Sequence, residues 1–350
     1  MTFSIDFLCT DDGGSPLRVT MHSLWGRDGR TGIGGSELAM LTLCECWTKK
    51  GYKVRLYNNP TQQGVSEFEQ LPIQAFNPSD SRDVLIIFRV PNRVALGAKG
   101  MKVFLSFDQF TSHPFVPFVN KVDKVVGISE YHSEHFKQNY DFHDMIVIDL
   151  PLRVDDFNDI DVEKIPNRLI YTSVPERGLL NIPAMWPQIR ERVPDATLRV
   201  TSDYRLWGFN HPANEKYFTH FIGMDGIVYP PRSALLRKDY LKEICKADML
   251  LYPHQADNPE LFCVSMAEAQ YAGAYPVSSD IGAMKTTNMG TIISGDPETM
   301  LWRVQCVNKV VELLTDKDKL LTKQSDVFKK AFDRFHPDTV LSAWEDKVFI

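Results

Sequence analysis

Short apolar runs recur along this chain at helix-length intervals, and that rhythm constrains the fold more than any single motif does. Residues 3–10, 53–57, 84–88, 102–107, 124–128 and 145–148 read as strands, separated by segments long enough for helices. Strands joined in this way form a parallel α/β sheet. The rhythm restarts at 168–172 and continues through 197–202, 227–229, 249–252, 274–278 and 291–294, with helical segments such as 233–246 between them. The join, residues 151–166 (PLRVDDFNDIDVEKIP), is acidic, weakly apolar and bracketed by prolines, which reads as a linker. The expected organisation is two α/β halves, 1–153 and 154–326, followed by a helical segment over 327–350.

Composition excludes several classes. Hydrophobic content of 43% and charged content of 24% are those of a globular chain. A net charge of -6 argues against a general nucleic-acid surface while leaving room for a local basic pocket. The six cysteines lack metal-ligand spacing and read as reduced core residues, so a cytoplasmic location is expected. No secretory leader and no apolar run of about 18 residues is seen, so no membrane span is expected, and transient membrane contact stays open. No carboxylate cluster points to a bound Mg²⁺ or Mn²⁺.

Residues 252–281 (YPHQADNPELFCVSMAEAQYAGAYPVSSDI) carry the most chemistry. Glu260 and Glu268 stand eight residues apart with no helix breaker between them, so a loop turns into a helix near Glu260. Eight helical steps make about two turns and 80°, which puts both carboxylates on neighbouring parts of one wall. Such a wall can hold a polyhydroxylated ligand, with the N–H groups of Leu261, Phe262, Cys263 and Val264 open to an anion. An ordinary surface helix with two solvated glutamates has the same spacing.

Three further loops stand out. Gly32-Ile33-Gly34-Gly35 puts three glycines in four residues, and Ser36 is the expected N-cap of the helix that follows to Lys50. The loop lacks the G-x-G-x-x-G spacing and the immediately preceding strand of a dinucleotide site. It reads either as a backbone that approaches phosphate or acceptor, or as a flexible loop before a capped helix. After the strand at 102–107 come Asp108 and His113, where strand ends of such sheets carry ligands. Both are candidates to touch a reacting sugar, and His113 before proline equally reads as a turn residue. In the second half, Ser173 to Leu179 follows the first strand, and Arg177 there can clamp a diphosphate or simply be solvated in a turn.

These features together resemble glycosyltransferase family 4, the retaining nucleotide-sugar enzymes of GT-B architecture. The resemblance spans nearly the whole chain and is most specific over 253–282, with its glutamate pair, Gly-Ala-Tyr-Pro-Val strand and following glycine loop. Gly32 to Glu37, Ile128-Ser129, Pro175 to Leu179 and Lys246-Ala247-Asp248 support it. The resemblance implies two Rossmann-like domains facing a cleft, the first on the acceptor side, the second holding a UDP- or GDP-sugar, and a final helix crossing back onto the first. It implies that Glu260 binds donor-sugar hydroxyls, that the N–H groups of 261–264 hold sugar or phosphate, and that Glu268 takes the ribose. Arg177 falls where the family has a diphosphate-binding cation, Gly34 and Gly35 in the loop facing the phosphates, and Tyr229 near the base. Three departures matter: Thr172-Ser173 replaces a common Gly-Arg, Cys263 replaces a common glycine, and Phe107-Asp108 stands where a histidine is frequent.

The implied reaction is transfer of a hexose from a nucleotide diphosphate sugar to the hydroxyl of a glycan or other acceptor, with retention and without metal or cofactor. Arg177 and helix N–H groups would stabilise the leaving diphosphate. Same-face attack assisted by that phosphate needs no dedicated base, so Glu260 positions, and Asp108 is the candidate near the reacting centre. A GT-B hydrolase or epimerase, and a nucleotide-sugar-binding protein without turnover, are the alternatives.

Overall fold

Unbroken runs of buried aliphatic residues become the central strands of two sheets. The computed structural model describes residues 2–10, 18–30, 32–110, 115–207, 212–229, 235–255, 257 and 259–350. The chain divides into two units, one of Met1–Asp28, Ile33–Pro151 and Pro337–Ile350, the other of Gly29–Gly32 and Leu152–His336.

In the first unit the strands are β1 (Ser4–Leu8), β2 (Lys53–Tyr57), β3 (Glu69–Leu71), β4 (Val84–Phe88), β5 (Met101–Leu105), β6 (Lys124–Gly127) and β7 (Met145–Val147). Among the described residues they form one sheet in the order β3-β2-β1-β4-β5-β6-β7, every pair parallel. All five residues of β4 are buried, as befits a parallel strand covered on both faces. Asp6 in β1 is also fully buried, and its carboxylate accepts from Arg55 at 2.7 Å and Arg82 at 2.6 Å. The short edge strand β3, Glu-Gln-Leu, has no apolar run to announce it.

The second unit repeats the plan with β8 (Arg168–Tyr171), β9 (Thr197–Val200), β10 (Ile227–Val228), β11 (Met249–Tyr252), β12 (Tyr275–Ser279) and β13 (Thr291–Ile293). Their order is β10-β9-β8-β11-β12-β13, again parallel. Leu169, Ile170, Leu250 and Leu251 from the central strands are fully buried, with Trp186 and Trp302 packed in the same core. Both sheets therefore have a doubly wound order, and the winding reverses between β1 and β4 in one and between β8 and β11 in the other. Open α/β sheets bind ligands outside the strand carboxyl ends at such a reversal.

Two expectations change. Residues 152–166 are bound into the second unit: Asp156 pairs with Arg153 at 3.0 Å and with Arg237, and Phe157 packs on Tyr271. The closing segment is not one helix. The helix Lys317–Phe335 stops at His336, whose ψ of 138° is the extended conformation that Pro337 imposes on the residue before it. Pro337–Trp344 belongs to the first unit, where Trp344 meets Trp47 edge-on at 5.3 Å and Phe349 packs on Phe3 and Trp47. Among the described residues no helix is long and apolar enough to cross a membrane.

Candidate functional site

The loops after β8 and β11, at the reversal of the second sheet, bring Arg177 and Glu260 together as an ion pair. Both side chains are mostly covered but keep 21% and 17% of their surface exposed, enough for a ligand to reach them. The Tyr252 hydroxyl, from the end of β11, donates to Glu260 Oε1 at 3.0 Å. Burial opposes ionisation of Glu260, yet the Arg177 guanidinium beside it holds the carboxyl below its ordinary range. Arg177 keeps its charge for the complementary reason: burial works against it, and Glu260 more than compensates.

Glycines permit this approach. Gly178 has φ +96, and a Cβ there would overlap the carbonyl oxygen of Pro253. Gly282 has φ +61, and its Cβ would come 2.7 Å from the Glu260 carbonyl oxygen and 3.0 Å from its nitrogen. Gly178 thus lies against the backbone at Pro253 and Gly282 against the backbone of Glu260.

His254, fully buried, accepts the Glu260 N–H on Nε2 at 3.0 Å. That bond assigns the ring proton to Nδ1. Burial pushes the imidazole down to about 4, so it is neutral at physiological pH. The carbonyl oxygens of Pro253 and His254 accept from Asn181 Nδ2 at 3.2 Å and Ser279 Oγ at 2.6 Å. Neither His254 nor Asn181 is marked in the sequence, because a lone histidine and a lone asparagine carry no spacing signal.

Leu261, Phe262 and Cys263 turn their side chains into the core, so backbone is what this stretch can offer a ligand. The helix Val264–Tyr271 follows, and Met266 is the first residue whose N–H bonds back, to the Cys263 carbonyl at 3.1 Å. The N–H groups of Val264 and Ser265 precede it at the positive end of the helix. Cys263 has φ 72°, a left-handed conformation that glycine adopts freely.

Glu268 lies deeper, only 3% exposed, ion-paired to Arg237 at 2.9 Å beside the Tyr240 hydroxyl. Arg237 also pairs with Asp156, so two buried charges of each sign, Arg153, Arg237, Asp156 and Glu268, neutralise one another. Ser173 is buried after β8, its carbonyl accepting from Ser202 Oγ at 3.0 Å. Tyr229 follows β10 and packs on Phe218 and Phe221. His113 lies outside the described residues.

In the first unit, Gly34, not Ser36, caps the helix Gly35–Lys49. The Glu37 side chain folds back onto Gly34, where a Cβ would overlap its carboxylate. Glu37 pairs with Arg89 at 3.3 Å, so a carboxylate already stands at this helix N-terminus. Arg89, which the sequence reading passed over, also binds both oxygens of Asp108, at 2.8 and 2.9 Å. Among the described residues no three His, Cys, Asp or Glu side chains gather as a metal site.

No protein-family model and no curated protein sequence matches this chain. Solved structures do. AviGT4, a glycosyltransferase involved in avilamycin A biosynthesis, is similar over 98% of this chain and 96% of its own, with a TM-score of 0.70 and 15% identity. A glycosyltransferase from Rickettsia africae ESF-5 is similar over 99% and 98%, with a TM-score of 0.70 and 13% identity. Sucrose-phosphate synthase from Thermosynechococcus elongatus is similar over 98% of both chains, with a TM-score of 0.69 and 12% identity. The fold is GT-B. At these identities the likeness is one of fold, and the GT-B architecture itself assigns no ligand to either reversal point.

Proposed function

We propose that this chain is a retaining glycosyltransferase that moves a hexose from a UDP- or GDP-sugar to a hydroxyl of a glycan or other acceptor, without a metal ion. The observation that carries the reading is the partly exposed Arg177–Glu260 pair at the reversal point of the second sheet. The GT-B likeness to solved glycosyltransferases supports the reaction class.

The leaving diphosphate develops the charge that the site has to stabilise. Arg177 offers a planar fork, and the N–H groups of Val264 and Ser265 add the positive end of a helix. A diphosphate taken by Arg177 releases Glu260 from its ion pair. The Tyr252 hydroxyl and the Glu260 N–H bond to His254 keep the residue in place, and its carboxylate turns to the hydroxyls of the donor sugar. Glu268 takes the ribose hydroxyls in exchange for part of its contact with Arg237, with Ser173 among the donor contacts and Tyr229 towards the base. Attack comes from the face the phosphate leaves, so no side chain has to act as base. In this reading 1–153 is the acceptor side, with Gly34 and Gly35 in its ligand-facing loop and Asp108 at the reacting centre. Residues 154–326 hold the donor, and 327–350 close the chain. The six unbridged cysteines favour the cytoplasm.

Incubation with UDP- and GDP-hexoses and a glycan acceptor, followed by NMR of the product anomer, tests the proposal. It predicts the donor's own anomeric configuration in the product and no loss of rate in EDTA. Inversion, or a rate that EDTA abolishes and a divalent ion restores, would contradict it. Sugar released to water at the same rate with and without acceptor would identify a hydrolase instead.

A further inference from the structure

We propose that Arg89 is a positioning residue, which fixes the Asp108 carboxyl group as a hydrogen-bond acceptor for a hydroxyl of the acceptor or the transferred sugar. The inference rests on the transfer reaction proposed above and adds to it a residue and a ligand chemistry for the first unit.

Arg89 follows β4 directly and has φ 65°, a left-handed conformation that non-glycine residues seldom adopt. Its N–H nonetheless donates to the Leu105 carbonyl at 3.0 Å, so the bend falls at the last rung between β4 and β5. From there the guanidinium meets two segments at the reversal of the first sheet. Nε and Nη2 donate to the two oxygens of Asp108 at 2.8 and 2.9 Å. Nη1 donates to Glu37 Oε1 at 3.3 Å and to Ser36 Oγ at 3.5 Å, both on the helix Gly35–Lys49. A lysine could not make that fork.

Of the three charged side chains, Asp108 is the most open, 35% exposed against 22% for Arg89 and 8% for Glu37. Each Asp108 oxygen has one lone pair engaged by Arg89 and another left to accept. The cluster holds two carboxylates and one cation, a net charge of -1 that repels an anion and suits a neutral hydroxyl-bearing ligand. Gly34 lies against the Glu37 carboxylate, so this loop end is held by the same cluster.

A double-mutant cycle on the full chain tests this, with kcat and donor KM measured for wild type, Arg89→Met, Asp108→Asn and the double variant. The proposal expects Arg89→Met to lower kcat by about tenfold or more, leave donor KM within about twofold, and add nothing in the Asp108→Asn background. Arg89→Lys is expected to recover only part of the loss. Arg89→Gly suits the backbone conformation and serves where Arg89→Met does not fold. Losses that add, or a kcat that survives both Arg89→Met and Arg89→Gly, overturn the positioning role and leave the transferase reading intact. A wild-type chain that transfers no sugar from any UDP- or GDP-hexose overturns the reading and this inference together.

Discussion

Acidification should weaken the fold through His254 by an amount that can be worked out in advance. Its imidazole is fully buried, accepts the Glu260 N–H at 3.0 Å and is pushed by burial down to about 4. The same group titrates at about 6.5 in an unfolded chain. Between those values the unfolded chain binds a proton that the folded chain does not, so stability rises with pH across the window and is lost as pH falls through it. A shift of that size corresponds to about 3 kcal/mol over the whole window and about 2 kcal/mol between pH 7 and pH 5. His254→Gln removes the titration, and the amide oxygen can still accept the Glu260 N–H. His132, buried and lowered to about 3, is present in both proteins and cancels in the difference. Urea unfolding of wild type and variant at the two pH values measures the effect. The stability of wild type relative to His254→Gln should fall by about 2 kcal/mol on going from pH 7 to pH 5. A difference constant within about 0.5 kcal/mol would mean that His254 titrates normally in the folded chain and is no fixed neutral acceptor.

Further predictions concern the backbone and the second carboxylate. Gly178→Ala should destabilise by more than the about 1–3 kcal/mol of its φ +96 conformation alone, because the new methyl also meets Pro253, and donor affinity should fall with it. Gly64→Ala, at φ +71 with open space around it, supplies the control for conformation alone; equal losses in thermal melts would contradict the close approach. Cys263→Gly and Cys263→Ala both remove the thiol, but only alanine keeps the left-handed penalty, so the glycine variant should be the more stable by about 1 kcal/mol. Alanine equal to glycine would refute the strain at that helix start. Glu268→Gln should weaken nucleotide-sugar binding by about fivefold or more in calorimetry, since an amide is a poorer acceptor for ribose hydroxyls. Unchanged affinity would confine Glu268 to its structural pair with Arg237.

Legibility in the sequence followed burial. Val84–Phe88 and Met249–Tyr252 announce themselves because strands covered on both faces need unbroken apolar runs, whereas Glu69–Leu71 at a sheet edge does not. The residues around Pro337 show how one proline decides a boundary that helical periodicity alone runs through. The segment 151–166 reads as a linker because it is acidic, weakly apolar and bracketed by prolines. Asp156 is instead buried between Arg153 and Arg237, a pairing that no local pattern reveals. At the site, Glu260 and Arg177 stood out as residue types in loops after strands, and the chain folds them into contact. Asp108 was legible and its partner was not, since Arg89 acts through a backbone turn that an isolated arginine after a strand does not signal.

If Arg177 and Glu260 form the donor site, a titration of UDP- and GDP-hexoses against wild type and Arg177→Ala will show it. At least one of these nucleotide sugars should raise the melting temperature of the wild-type chain by mass action, and Arg177→Ala should abolish the shift while remaining folded. Equal stabilisation of both proteins, or no stabilisation of wild type by any of these nucleotide sugars, would contradict it.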